Sequence, residues 1–247
     1  MAHQNSSIEV NTIEPQSGTT LTIGNSGQDV VVNADSIKNN VLKDAGGNAL
    51  FTSNGSGVLS GLNAGFGSAQ VLISTTTVST AVATIDFTSG IDSTYNEYVF
   101  KFINIDPVTN SVTFGFQANA TDSTSYDETI TSTAFRARHY EDGTSGAVNY
   151  EVDADQAQGT ALQPLLLHLG GGGDKSASGE LHLFNPSSTT YVKNFYSESN
   201  HYGGAGEQTQ NYFIAGYINT TTAIDDIQFK MSSGNINAGI IKMYGIK

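Results

Sequence analysis

The chain has 247 residues and a formal net charge of −13, with 10 Lys and Arg against 23 Asp and Glu. That balance repels phosphate backbones and anionic lipid heads, so neither nucleic acid nor a membrane surface is an expected partner. Charged residues make up only 13% of the chain, with Ser, Thr, Asn and Gly in their place, and cysteine is absent, which excludes disulfides, zinc thiolates and Cys nucleophiles.

Residues 1–10 are polar and lack the basic start and apolar run of a signal peptide. No stretch approaches the roughly 18 apolar residues of a membrane span. The expectation is a protein made in a cytoplasm without a secretory leader, reaching an exterior through assembly and lysis. Ile8, Val10 and Ile13 alternate with Glu9 and Asn11. Such a segment suits adding a strand to a partner's sheet edge, so these three are the candidate anchor.

From Ile8 to Gly67 the sequence is thin in bulky apolar residues and dense in turn signals. Thr20–Ile23 leads into Gly24-Asn25-Ser26-Gly27, and Leu42-Lys43 is separated from Leu50-Phe51 by Asp44-Ala45-Gly46-Gly47-Asn48-Ala49. Short strands around Gly/Asn/Asp turns predict tight hairpins or rungs. About sixty residues so poor in large side chains cannot bury a core alone. The expectation is therefore an extended, shaft-like segment over 1–67 completed by other copies, most simply as a homotrimer. The competing reading of this stretch is a low-complexity linker.

From Ser68 to Lys247 the pattern changes to period-2 alternation, the mark of half-buried strands. Val112, Phe114, Phe116 and Ala118 alternate with Thr113, Gly115 and Gln117. Phe135, Ala137 and His139 alternate with Arg136, Arg138 and Tyr140, and Ile227, Phe229 and Met231 with Gln228 and Lys230. Strands are also predicted over Gln70–Ser74, Val82–Phe87, Tyr98–Ile105, Leu162–Leu169, Tyr191–Ser197, Tyr212–Ile218 and Ile240–Ile246. Tyr98–Ile105 and Tyr212–Ile218 are apolar on both faces, which predicts strands that are central or are buried on their outer side by a neighbouring subunit. No helical stripe exceeds two turns. The fold class is all-β, and the natural packing for 68–247 is a jelly-roll-like antiparallel β-sandwich.

The segment Lys43-Asp44-Ala45-Gly46-Gly47-Asn48-Ala49-Leu50-Phe51, continued by Asn54-Gly55-Ser56-Gly57, resembles the shaft segments of phage tail-fibre and spike proteins. The stretches Gly179–Pro186, Phe229–Gly234 and Lys242–Ile246 are similar to virion structural proteins of marine and cyanobacterial phages. The resemblance implies a particle component that contacts itself and other virion proteins of tail or capsid, and it carries over no active-site residue.

Chemistry-bearing motifs are sparse. Gly170-Gly171-Gly172-Gly173-Asp174-Lys175-Ser176 is not a phosphate loop, because an Asp precedes the Lys and a strand rather than a helix follows. His3, His139, His168, His182 and His201 show no metal-ligand spacing. Asp153 with Asp155, and Asp225 with Asp226, are the calcium candidates. No cofactor and no catalytic residue is expected. Loops rich in tyrosine and amides are the candidate glycan contacts: Tyr126 in 122–127, Tyr140 and Tyr150 in 140–150, and His201 and Tyr202 in 200–207. Arg136 and Arg138 are expected to pair with acidic residues, across a subunit boundary or within the chain, rather than to bind a ligand. The leading expectation is a trimeric tail fibre or spike that attaches to a host-surface glycan. A capsid decoration protein and a polysaccharide depolymerase are the alternatives.

Overall fold

The structure is a computed structural model, and it describes residues 41–44, 46–53, 56, 59–60, 69–203 and 207–247. The anchor candidates Ile8, Val10 and Ile13 lie outside the described residues. Backbone contacts divide the chain into two units, Met1–Asn63 and Ala64–Lys247.

In the first unit β1 (Val41–Lys43), β2 (Ala49–Ser53) and β3 (Leu59–Ser60) form an antiparallel sheet. The predicted turn between Lys43 and Leu50 is closed by Asp44. Its carboxylate accepts from the Asn48 backbone N–H at 2.8 Å and from Asn48 Nδ2 at 3.1 Å. Gly47, at φ 85°, takes the left-handed conformation that such a turn requires. Val41 and Leu42 remain exposed.

The second unit holds thirteen strands among its described residues: β4 (Gln70–Val78), β5 (Thr84–Phe87), β6 (Glu97–Pro107), β7 (Val112–Ala120), β8 (Ile130–Tyr140), β9 (Gly146–Tyr150), β10 (Gln156–Gly159), β11 (Gln163–Leu169), β12 (Ala177–Phe184), β13 (Lys193–Gly203), β14 (Gln208–Ile218), β15 (Ile224–Met231) and β16 (Ile236–Ile246). All described pairings are antiparallel. A large sheet has the order β10-β8-β14-β13-β12-β6-β16-β4, with β9 also paired to β8. A small sheet has the order β11-β7-β15-β5. The all-β expectation holds, and β6 and β14 are interior strands as their two apolar faces predicted. Val99, on the face of β6 opposite Tyr98 and Phe100, is fully buried between its partners His182 and Tyr244.

The two sheets meet through aromatic residues supplied by the alternation. Phe229 of β15 lies within ring-contact range of Phe87, Phe100, Phe102, Phe114 and Phe116. Phe116 meets Phe195 of β13 edge-on at 5.1 Å. Two of the buried polar side chains show how such groups are bonded. Gln163, with no exposed surface, donates to the Ala154 and Pro164 carbonyls and accepts from Ser132 Oγ at 2.8 Å. Lys193 Nζ donates to the carbonyls of Tyr191 and Thr220, and burial pushes its pKa down.

Two sequence readings need correction. Residues 200–207 are not one loop, because β13 continues to Gly203, six residues past its predicted end, and β14 begins at Gln208. Likewise 140–150 contains strand β9. The physical reason is that Ser197, Ser199 and His201 keep the inward alternation of Phe195 while being polar or aromatic, so hydropathy fades although the strand does not. In β8 the polar set points inward. Phe135 is 45% exposed on the outer face, whereas Arg136 and Arg138 face Gln210 and Tyr212 between the sheets.

Candidate functional site

Register assembles an aromatic and polar surface on the outer face of the large sheet. Glu198 of β13 lies opposite Phe213 of β14, which lies opposite Phe135 of β8, which lies opposite Tyr150 of β9. Side chains on directly paired residues stand about 5 Å apart on one face, so this row is continuous. The Phe135 and Phe213 rings stack at 4.8 Å and 12°. Tyr150 at the row's end donates its hydroxyl to Asp155 Oδ2 at 2.5 Å.

One register step away, His182 of β12, Tyr196 of β13 and Ala215 of β14 form a second row. Tyr196 stacks on the His182 ring at 4.3 Å. The imidazole is fixed by carboxylates on both sides, with Nδ1 at 2.6 Å from Glu97 Oε1 and Nε2 at 3.1 Å from Glu180 Oε1. Between the two rows lies a recess of about 220 Å³ floored by Phe135, Tyr196, Phe213 and Ala215. Beside it lies a polar trough of about 290 Å³ lined by Ser178, Gly179, Glu180, Glu198, Asn200 and Asn211. Asn211 Nδ2 donates to Glu198 Oε1 at 3.1 Å, and Asn200 Nδ2 donates to Thr209 Oγ1 at 2.8 Å. Glu198 belongs to both the trough and the aromatic row, so the apolar and polar recesses adjoin. Flat apolar rings next to amides and carboxylates provide stacking for a sugar face and hydrogen bonds for its hydroxyls.

Electrostatics mark Glu180. Burial alone would raise its carboxyl, but the hydrogen bond and charge of His182, followed by Lys101 at 3.6 Å, hold it below the ordinary value. The Tyr196 phenol is pushed up by burial and then by the charges of Glu97, Glu180 and Glu198.

The sequence-predicted contacts are not gathered in one place. Tyr150 is on the outer face described above. Tyr140 ends β8 and lines a separate cavity with Arg136 and Arg138. His201 is 1% exposed on the inner face of β13, which removes it as a surface contact, and Tyr202 pairs with Thr209 at the end of the same strand. Tyr126 lies in the β7–β8 loop, its phenol pushed up to about 12 by burial and then by Asp86, Asp226 and Asp225. Asp153 and Asp155 lie between β9 and β10, and Asp155 is engaged by Tyr150. Among the described residues no group of three His, Cys, Asp or Glu stands ready to hold a metal ion. Arg136 does pair within the chain, its Nε 3.0 Å from Glu151 Oε2.

Phe135, Phe213, Tyr196, Glu198 and Asn211 escape a reading that looks for contacts in loops, because these side chains project from strands. The available signal was the alternation of Tyr196, Glu198 and Asn200 against Phe195, Ser197 and Ser199, which puts three contact-capable side chains on one face. In comparisons with known proteins, the chain matches no protein-family profile, no curated protein and no solved structure.

Proposed function

We propose that this chain is a non-catalytic surface protein of a phage particle that attaches to a host-surface glycan through the outer face of its large sheet. The observation that carries the reading is the adjoining pair of recesses, one floored by Phe135, Tyr196 and Phe213 and the other by Glu198, Asn200 and Asn211. The strand orders support a jelly roll. Four adjacent strands of the large sheet read β4-β16-β6-β12 and the small sheet reads β5-β15-β7-β11. Two interleaved Greek keys produce such orders, in an architecture common to viral capsid and lectin domains. In this reading β8–β10 and β13–β14 are insertions that widen one sheet, and the wider part carries most of the recess floor.

The working form is a homotrimer, with residues 1–67 as particle anchor and shaft. Exposed Val41 and Leu42 in the small N-terminal sheet support coverage by further copies. Whether the particle partner belongs to tail or capsid turns on what residues 1–13 bind. A decoration role on the head would use the same oligomer.

Glu180 and Glu198 face each other across the β12–β13 ladder beside the trough, and paired carboxylates are the equipment of a depolymerase. A general acid needs a raised pKa, however, and Glu180 is held low by its neighbours. Binding without hydrolysis is therefore the reading kept. The test is retention of the full chain on immobilised host surface polysaccharide. Phe213→Ala and Tyr196→Ala should each weaken retention about tenfold, the loss expected for one stacking contact, and no new reducing ends should appear. Wild-type retention in both variants would remove the outer face as the site. Hydrolysis abolished by Glu198→Gln would establish the depolymerase instead.

A further inference from the structure

The chain contains two arginines, Arg136 and Arg138, and both line a single cavity of about 390 Å³ on the inner side of the large sheet. We propose that this cavity binds a carboxylate-bearing monosaccharide, a uronic or nonulosonic acid residue, with Arg138 as the carboxylate receptor. The site is on the opposite face of β8 from Phe135 and does not depend on the outer-face reading.

The two arginines stand two residues apart on one strand face, but their surroundings differ. Arg136 is already neutralised. Its Nε lies 3.0 Å from Glu151 Oε2, and its Nη1 donates to Gln210 Oε1 at 2.9 Å. Arg138 has no carboxylate among the described residues within ion-pair distance. Its Nε is buried and lacks a hydrogen-bond partner. Its guanidinium lies over the Tyr140 ring at 5.7 Å, within cation–π range. In a chain of net charge −13, an uncompensated guanidinium held over an aromatic ring in a cavity is an anion receptor awaiting its anion, since a planar fork matches a carboxylate with two parallel hydrogen bonds.

The rest of the lining is suited to a sugar rather than to a bare ion. Gln208 and Gln210 are buried at the floor, and side-chain amides both donate to and accept from hydroxyls. The rim is formed by Ser111 and His168, at φ 60° and 59°. Non-glycine residues rarely adopt that conformation, and it is held where the surrounding structure over-determines it, commonly at ligand clamps. The volume is at the small end of the range for ligand pockets, which fits one sugar ring and not a run of polymer.

The test is calorimetric titration of the full chain with glucuronic acid and with N-acetylneuraminic acid, with glucose and sodium acetate as comparison ligands. At least one acid should bind, glucose should not, and acetate should bind more weakly than the acid sugar. Arg138→Gln should lower affinity by about tenfold or more, and Arg138→Lys, which keeps the charge but loses the fork, should recover only part of it. Leu72→Ala, a change at an exposed side chain of β4 that lines none of these recesses, should leave this binding unchanged. A measurement free of variants uses phenylglyoxal. With two arginines in the chain, mass spectrometry resolves each adduct, and the acid sugar should protect Arg138. No binding of either acid, affinity equal to that of acetate, or an unprotected Arg138 would overturn the proposal.

Discussion

His201 should make the sandwich lose stability in mild acid, by an amount that follows from its burial. The side chain is 1% exposed on the inner face of β13, stacked near Tyr212 at 6.0 Å, and neither ring nitrogen makes a hydrogen bond of good geometry. Burial outweighs the backbone groups of Tyr202 and Leu167, which act in the opposite sense, and with the nearby charges of His168 and Arg136 it pushes the pKa from 6.5 down to about 4. Above pH 6.5 the ring is neutral in both folded and unfolded chains and contributes no pH dependence. Between that pH and about 4 the unfolded chain takes a proton that the folded chain refuses, so stability falls as pH falls, and the loss levels off once both states are charged. A gap of this size corresponds to about 3 kcal/mol over the window. The perturbation is His201→Leu, which removes the titration and two unmet polar atoms while keeping an apolar side chain of similar bulk. Urea unfolding at fixed protein concentration, from pH 7 to pH 4, should show the variant at least as stable as wild type at pH 7 and more stable by about 3 kcal/mol or more at pH 4. Other acidic and histidine residues titrate in both proteins and cancel in the difference. Parallel pH profiles for the two proteins would refute the reasoning.

Three further outcomes are expected. Phe229→Ala removes the ring that five other phenylalanines approach and should cost about 3–5 kcal/mol in the same unfolding assay, while a loss below about 1 kcal/mol would mean that the inter-sheet core closes around the gap. Gly115→Ala places a methyl 2.3 Å from the Gln163 backbone oxygen of the paired strand. It should destabilise by about 1–3 kcal/mol, and slowed amide exchange along β7 and β11 would contradict the clash. Light scattering on the purified full chain should return three times the 26.0 kDa chain mass, and a monodisperse monomer would sink the trimer.

What the sequence determined by itself was the kind of structure and where its repeating elements run. Period-2 alternation through Val112–Ala118 and Ile227–Met231, with Gly/Asn/Asp turns between strands, permits little else than an antiparallel β fold. The absence of cysteine and the −13 charge removed whole classes of chemistry before any fold was considered. Alternation, however, says which residues share a face and not which way that face points. In β8 the apolar set of Phe135 and Ala137 faces outward and the arginines inward, because Gln210, Tyr212 and Glu151 offer polar partners on the inner side. Nor does a sequence record which strands become neighbours. Glu198, Phe213, Phe135 and Tyr150 span 78 positions from Phe135 to Phe213 and meet only because β13, β14, β8 and β9 pair in that order. Strand pairing joins segments far apart in the chain through backbone hydrogen bonds that every residue type can make. Local side-chain patterns therefore set the strands, while the tertiary register alone decides which of them build a site.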